Sequence, residues 1–202
     1  MKAINLFNSW AQLGKDSGME LNHAKSVDYM ISFIQSKFSK KFKFLDIGCG
    51  NGWVVRKISN YPFCDESVGI DGANEMIKKA LLNDSKSSYF CCELNDLGAF
   101  DQKFDIVFSM EVLYYLKCPQ TTLNIIYNSI LKKDGCFIMG IDHYKENTPS
   151  LNWPQELNVP MCTYSELEWK NMFLNAGFSS VSISRVGKKD DWAGTLVLYG
   201  EK

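Results

Sequence analysis

Residues 45–52 read Leu-Asp-Ile-Gly-Cys-Gly-Asn-Gly, with glycines at 48, 50 and 52. Glycine at every second position lets the chain turn tightly and lets a ligand approach the main chain closely. The apolar run Phe42–Ile47 before the loop reads as a strand, and Val54–Tyr61 after it as a helix. The start of such a helix presents unpaired N–H groups to whatever the loop holds. Two details narrow the ligand. The dinucleotide pattern G-x-G-x-x-G would need a glycine where Trp53 stands, and a Trp there would crowd a pyrophosphate. Asp46, two residues before the first glycine, repels phosphate and suits an ammonium group.

Two further carboxylates fall at equivalent places. Asp71 closes the strand-like run Ser67–Asp71, where α/β nucleotide folds hold ribose hydroxyls. Asp96 follows the run Ser88–Cys92, inside Glu93–Leu97 (ELNDL). A ligand with an amino group, a ribose and an adenine amine would use all three. Each also has a plainer role open to it: Asp46 and Asp71 as helix caps, Asp96 as a loop former.

Acid–base candidates are few. There are two histidines. His143 follows a strand and opens a long loop, which suits a base titrating near neutrality; an ordinary loop histidine is the alternative. His23 lies at the start of a helix. Glu111, Tyr114 and Tyr115 follow the strand Phe104–Ser109, and one of them is expected to line a pocket. Trp10 and Trp153 sit in segments able to fold over the glycine loop, where an aromatic face favours a cation.

The elements that must position these residues alternate. Strands at 42–47, 67–71, 88–92, 104–109 and 136–142 are separated by helices at 54–61, 74–83 and 119–133, the last opened by Pro119 in its first turn. Such alternation implies right-handed crossovers and a parallel sheet covered on both faces. A helix from Asn22 to residue 39 precedes the first strand, and one from Tyr164 to Ala176 stops at Gly177. Two β-rich runs, Val181–Val186 and Thr195–Tyr199, close the chain as a hairpin. The expected fold is therefore α/β, Rossmann-like and doubly wound, with seven strands in the order 3-2-1-4-5-7-6 and the last antiparallel. Its parts are a helical cap (1–41), a ligand-binding core (42–142), a proline-containing lid (143–162) and a terminal helix and hairpin (163–202), together one domain. Pro149, Pro154 and Pro160 give the lid defined bends.

Composition bounds the rest. The formal net charge is −1, with no basic concentration that would serve a phosphate backbone, so no nucleic acid partner is expected. The seven cysteines lack paired metal spacing and fit buried thiols in a reducing compartment. No apolar run suggests a membrane span or signal peptide. The expectation is a cytoplasmic protein, monomer or homodimer, with no metal and a small-molecule partner.

At these motifs the chain resembles the class I S-adenosylmethionine-dependent methyltransferases, close to their small-molecule branch called type 11. The likeness rests on LDIGCGNG, on VGIDGANEMI (Val68–Ile77), on FDIVFSMEVLYYL (Phe104–Leu116) and on SILKKDGCFIMG (Ser129–Gly140), and covers about residues 42–142. It implies S-adenosylmethionine as cofactor. Gly48, Cys49, Gly50 and Gly52 would line its methionine part, with Asp46 near the amino group. Asp71 would take the ribose hydroxyls beside Gly72 and Met76, although Met76 also sits at core spacing. Asn95, Asp96 and Leu97 would frame the adenine, and Met110 would lie near the sulfonium. The acceptor pocket would include Trp10, Glu111, Tyr115 and Trp153, with His143 as base. Ser109–Val112 (SMEV) departs from the D-P-P-Y type of segment of amino-methylating DNA enzymes, and Cys118–Pro119 reverses the Pro-Cys of cytosine C5 enzymes. The competing readings are a NAD- or nucleotide-binding Rossmann protein, and a non-catalytic subunit that keeps the fold.

Overall fold

In the computed structural model, which describes all 202 residues, two helices precede the first strand. They are α1 (Ala3–Gln12) and α2 (Asp16–Lys37). Then follow β1 (Phe42–Ile47), α3 (Trp53–Ser59), β2 (Cys64–Asp71), α4 (Asn74–Asn83), β3 (Ser88–Cys91), β4 (Phe104–Met110), α5 (Pro119–Ile125) and β5 (Leu131–Ile141). A short α6 (Trp153–Glu156) and α7 (Glu166–Ala176) lead to β6 (Ser179–Val186) and β7 (Thr195–Glu201). The seven strands form one sheet in the order β3-β2-β1-β4-β5-β7-β6. β7 runs antiparallel to both its neighbours, and the other pairings are parallel. The expected architecture and order hold.

The central strands β1, β4, β5 and β7 are buried on both faces, so they alternate between two apolar sets. Phe44, Ile106, Phe108 and Ile138 point to the side of α2 and α3, where Val27, Met30, Ile34, Val54 and Ile58 cover them. Leu45, Ile47, Val107, Phe137 and Met139 point the other way, against Leu123, Ile126, Trp169 and Phe173. Phe137 and Phe173 stack at 5.4 Å between centroids. Burial of this kind is worth about 1.5–3 kcal/mol for each large side chain. It fixes the strand register, because a one-residue slip would turn each apolar set to the wrong face. Register then aligns the carboxyl ends: Asp46 stands opposite Gly69 and Phe108, and Met110 opposite Gly140.

The structure departs from expectation at three boundaries. α2 starts at Asp16 rather than Asn22, since Asp16 is anchored by Lys79 at 2.6 Å and by the Asn51 amide at 3.0 Å. The helix opened by Pro119 does not reach Lys133. It ends in a π turn over Ile126–Ile130, and Leu131 already pairs with Phe104. Lys132 reaches Asp105 at 2.7 Å, and Asp134 adopts φ 63°, so Lys132–Gly135 form an irregular strand entry instead of a helix end. α7 begins at Glu166, because Ser165 caps it reciprocally with Glu168. No helix is long and apolar enough to cross a membrane.

Candidate active site

The glycine loop is folded back onto β2. The N–H groups of Gly48 and Cys49 both donate to the Ile70 carbonyl, at 2.8 and 3.0 Å. Gly48 has φ 76°, and a Cβ there would lie 2.2 Å from a Val112 methyl, so no other residue fits. Asp71 ties the loop down from the next strand. One of its oxygens accepts from Gly50 N–H at 2.9 Å and the other from Ala73 N–H at 2.7 Å. It thus pins the glycine loop and the turn before α4 rather than capping the helix itself, while also facing a cavity. Burial raises its pKa, against the two N–H groups that lower it.

Asp46 behaves differently. It is 2 % exposed and makes no hydrogen bond to the protein. Burial, aided by the charge of Asp71, pushes its carboxyl well above the usual range. It borders a narrow pocket of about 40 Å³ together with Gly48, Cys49, Gly50, Asn51, Met110 and Glu111. A buried carboxylate without a partner costs free energy that a cationic ligand would recover.

Two larger cavities open at the carboxyl edge of the sheet. The first, about 580 Å³, is bordered by Gly48, Gly50, Asp71, Gly72, Met76, Asn95 and Met110, all expected from the sequence. Glu93, Leu94, Ile4, Val159 and Pro160 border it too and were not anticipated. Three expected residues are elsewhere. Asp96 is exposed and outside the lining, and Leu97 is fully buried in the core. Gly52 turns its φ of 78° against the Tyr89 ring, inside the loop and away from the cavity. The 3₁₀ helix Leu94–Ala99 turns Leu97 inward and leaves Asp96 exposed.

The second cavity, about 560 Å³, shares Phe7, Met19, Glu111 and Tyr115 with the first. Trp10, Glu111, Tyr115 and Trp153 line it as expected, and His23, Asp142 and Trp192 join them. Phe7 meets Trp10 and Tyr115 edge-on at 5.5 and 5.4 Å, and Trp153 lies 6.1 Å from Trp192. These walls come from α1, the turn after β4, α6 and the β6–β7 turn. Gly140 permits the approach of the floor: a Cβ there would sit 2.6 Å from the Met110 sulfur and 2.9 Å from that of Met30.

Glu111 stands where the cavities meet. Its φ is 61°, a conformation rare for a side chain of this size. Its carboxylate accepts from the Tyr114 hydroxyl at 2.7 Å and from the Asp142 N–H. Burial, with the nearby charge of Asp142, holds its pKa well above the ordinary value. His23 lies 3.6 Å from Asp142. Burial pushes the imidazole pKa down and the Asp142 pKa up, so both partners lean to their neutral forms. His23, Glu111 and Asp142 offer ligand atoms within 4.8 Å of one another. Sequence spacing carries no sign of this cluster, because its members stand on α2 and just past the ends of β4 and β5.

His143, expected as a base, is not in either cavity. It is fully buried, with Nδ1 2.9 Å from the Ser150 carbonyl and Nε2 2.8 Å from the Thr163 hydroxyl. The carbonyl can only accept, so Nδ1 carries the proton and Nε2 receives the Thr163 hydroxyl. Both nitrogens are committed to holding the 143–163 segment. Asn147 works beside it, donating to the Asp142 carbonyl at 2.7 Å and accepting from Ala193 N–H at 3.0 Å.

Comparison with known proteins points to methyltransferases. The family model described as a methyltransferase domain matches residues 45–139. The ubiquinone biosynthesis O-methyltransferase of Rickettsia typhi is 26 % identical over 126 residues, covering 59 % of this chain and 49 % of that protein. The chain spans about half the length of the curated relatives it matches first. A putative methyltransferase solved in complex with the Trm112 methyltransferase activator of Haloferax volcanii superposes with a TM-score of 0.84, at 26 % identity and 96 % coverage of both chains. A Thermotoga maritima structure described as a possible histamine N-methyltransferase shares the fold, with a TM-score of 0.75, 16 % identity and 98 % coverage of both chains.

Proposed function

We propose, for a chain that belongs to the class I S-adenosylmethionine-dependent methyltransferases, that the methyl acceptor is a small molecule with a flat apolar body. S-adenosylmethionine is the cofactor, and when bound it supplies an electrophilic methyl group on a sulfonium. The observation that carries the acceptor reading is the second cavity. It is walled by Phe7, Trp10, Tyr115, Trp153 and Trp192, and it meets the first cavity at Glu111. About 560 Å³ suits a metabolite, in the range of ordinary small-molecule sites.

The residues divide the work. Asp46 would receive the amino group of the cofactor in the narrow pocket, and Asp71 the ribose hydroxyls. Asn95 would border the adenine, and Met110 would lie toward the sulfonium at the junction. Methyl transfer to a good nucleophile needs alignment and little else, and alignment alone can contribute several kcal/mol. Aromatic walls exclude water from the junction and hold the acceptor in plane. Segment 143–162 supplies part of both cavities through Trp153, Val159 and Pro160, and we read it as the wall that closes over bound acceptor. The whole chain then works as one domain, with 1–41 as cap, 42–142 as core and 163–202 completing the sheet.

The test has two steps. Calorimetric titration should show one S-adenosylhomocysteine bound per chain, with no comparable NAD binding. Radiolabelled S-adenosylmethionine should then transfer methyl to a member of a panel of phenols and aromatic amines. Trp153→Ala should lower kcat/KM for that acceptor while leaving S-adenosylhomocysteine affinity unchanged. If label enters a tRNA mixture and no panel member, the acceptor reading is wrong.

A further inference from the structure

The mechanism above leaves two buried carboxylates unexplained. Glu111 and Asp142 are 9 % and 6 % exposed, stand within 4.8 Å of each other through their ligand atoms, and have no lysine or arginine partner. Lys25 borders the same cavity but forms no ion pair with either. One Asp142 oxygen is buried with no hydrogen-bond partner at all. Two acids so placed are costly without a positive charge between them. The third member of the cluster is an imidazole, which is a ligand in its neutral form.

We propose that His23, Glu111 and Asp142 form a site for a divalent transition-metal ion at the floor of the aromatic cavity. Three ligand atoms mutually within 4.8 Å stand close enough for small side-chain movements to bring them onto one ion at ordinary bond lengths of about 2.0–2.2 Å. Glu111 is already oriented as a ligand carboxylate should be. Each of its oxygens accepts one hydrogen bond, from Tyr114 and from the Asp142 N–H, and each keeps a lone pair. The unpartnered Asp142 oxygen supplies the acceptor capacity that the protein leaves unused. One imidazole with two carboxylates favours Mn²⁺, Fe²⁺ or Zn²⁺ over the all-oxygen sites of Mg²⁺ and Ca²⁺. Three protein ligands leave coordination positions open, and all three residues line the acceptor cavity. An acceptor hydroxyl bound there would lose its proton more readily and face the methyl group. The bound ion would thus select oxygen acceptors able to coordinate it.

Mn²⁺ titration followed by electron paramagnetic resonance tests the site without cofactor or acceptor, so its outcome is independent of the methyl-transfer reading. The wild-type chain should bind one Mn²⁺, and Zn²⁺ should displace it. Asp142→Asn and His23→Gln should each raise the Mn²⁺ Kd at least about tenfold, while circular dichroism and a cooperative thermal transition show that both variants are folded. Nitrogen modulation in the pulsed spectrum of bound Mn²⁺ should be present in the wild type and lost in His23→Gln. The proposal is overturned if folded wild-type protein leaves millimolar Mn²⁺ and Zn²⁺ free. It is equally overturned if the variants bind as the parent does, which would put the ion elsewhere.

Discussion

Replacing Asp71 by asparagine isolates what its charge and its second oxygen contribute. In the structure the carboxylate accepts two backbone N–H groups, from Gly50 at 2.9 Å and from Ala73 at 2.7 Å. Asparagine keeps one acceptor oxygen and turns its NH₂ toward the other N–H, so one bond is lost and two donors face each other. A hydrogen bond to a charged group in such a place is worth roughly 1.5–3 kcal/mol. For a chain of this size that loss corresponds to a fall in Tm of about 3–12 °C. On the proposed cofactor site, ligand affinity should fall as well, because the ribose hydroxyls would lose an anionic acceptor and Gly50 would no longer be held. Roughly tenfold weaker S-adenosylhomocysteine binding is expected, about 1.4 kcal/mol. Urea denaturation and calorimetry measure the two effects separately. A lower midpoint with unchanged affinity would leave Asp71 as a turn former only and remove it from the ribose site. An unchanged midpoint would show that the two backbone bonds carry no stability, against the reasoning.

Further outcomes are expected. Asp46 has its pKa raised by burial and the neighbouring Asp71 charge, so in the free protein its contribution to stability is full below the ordinary carboxylate pKa of about 4 and is lost as pH rises through the folded value. Cofactor affinity should move oppositely, strengthening as pH rises through the raised folded pKa and Asp46 ionises; titrations across pH should show that slope in the wild type and not in Asp46→Asn. His143→Gln should lower stability by about 1–3 kcal/mol in urea denaturation through lost buried hydrogen bonds, with S-adenosylhomocysteine affinity nearly unchanged; a selective loss of turnover at parental stability would restore His143 as a base. Gly140→Ala forces Met110 and Met30 to move and should cost about 1–3 kcal/mol of stability, with weakened cofactor binding as the reporter of a displaced Met110.

Sequence patterning made the sheet legible because it is a local signal repeated along the chain. Each strand carries its own apolar run, and a helix separates most of the successive parallel strands, so order and direction followed from connection rules. The glycine loop and Asp46 were legible for the same reason: loop, strand end and helix start lie within one short segment. What failed was everything that packing decides. Leu131–Lys133 has helix-compatible composition, yet the pairing of Leu131 with Phe104 and the Lys132–Asp105 contact make it the start of a strand. His143 carries the most suggestive residue type at the most suggestive position, and its burial between Ser150 and Thr163 could not be seen from either neighbour. His23 and Asp142 gave the opposite error, since only the docking of α2 across the sheet brings them together. Phe7 and Trp192 form one wall system although they stand near opposite ends of the chain.

The insertion of β7 between β5 and β6 has a consequence during synthesis. β5 presents one whole edge that stays open until the chain has grown past Thr195, because its partner there is β7. The residues along that edge, Cys136–Ile141, are apolar and end up almost wholly buried. A nascent chain therefore carries an unpaired, sticky strand while the ribosome makes the intervening helices and β6, and such edges invite pairing with other chains. Yield and solubility on expression should accordingly be governed by this waiting period more than by the stability of the finished fold. Slower elongation after β5 would lengthen the exposure, and substitutions that hasten the docking of α7 would shield one face of the strand sooner.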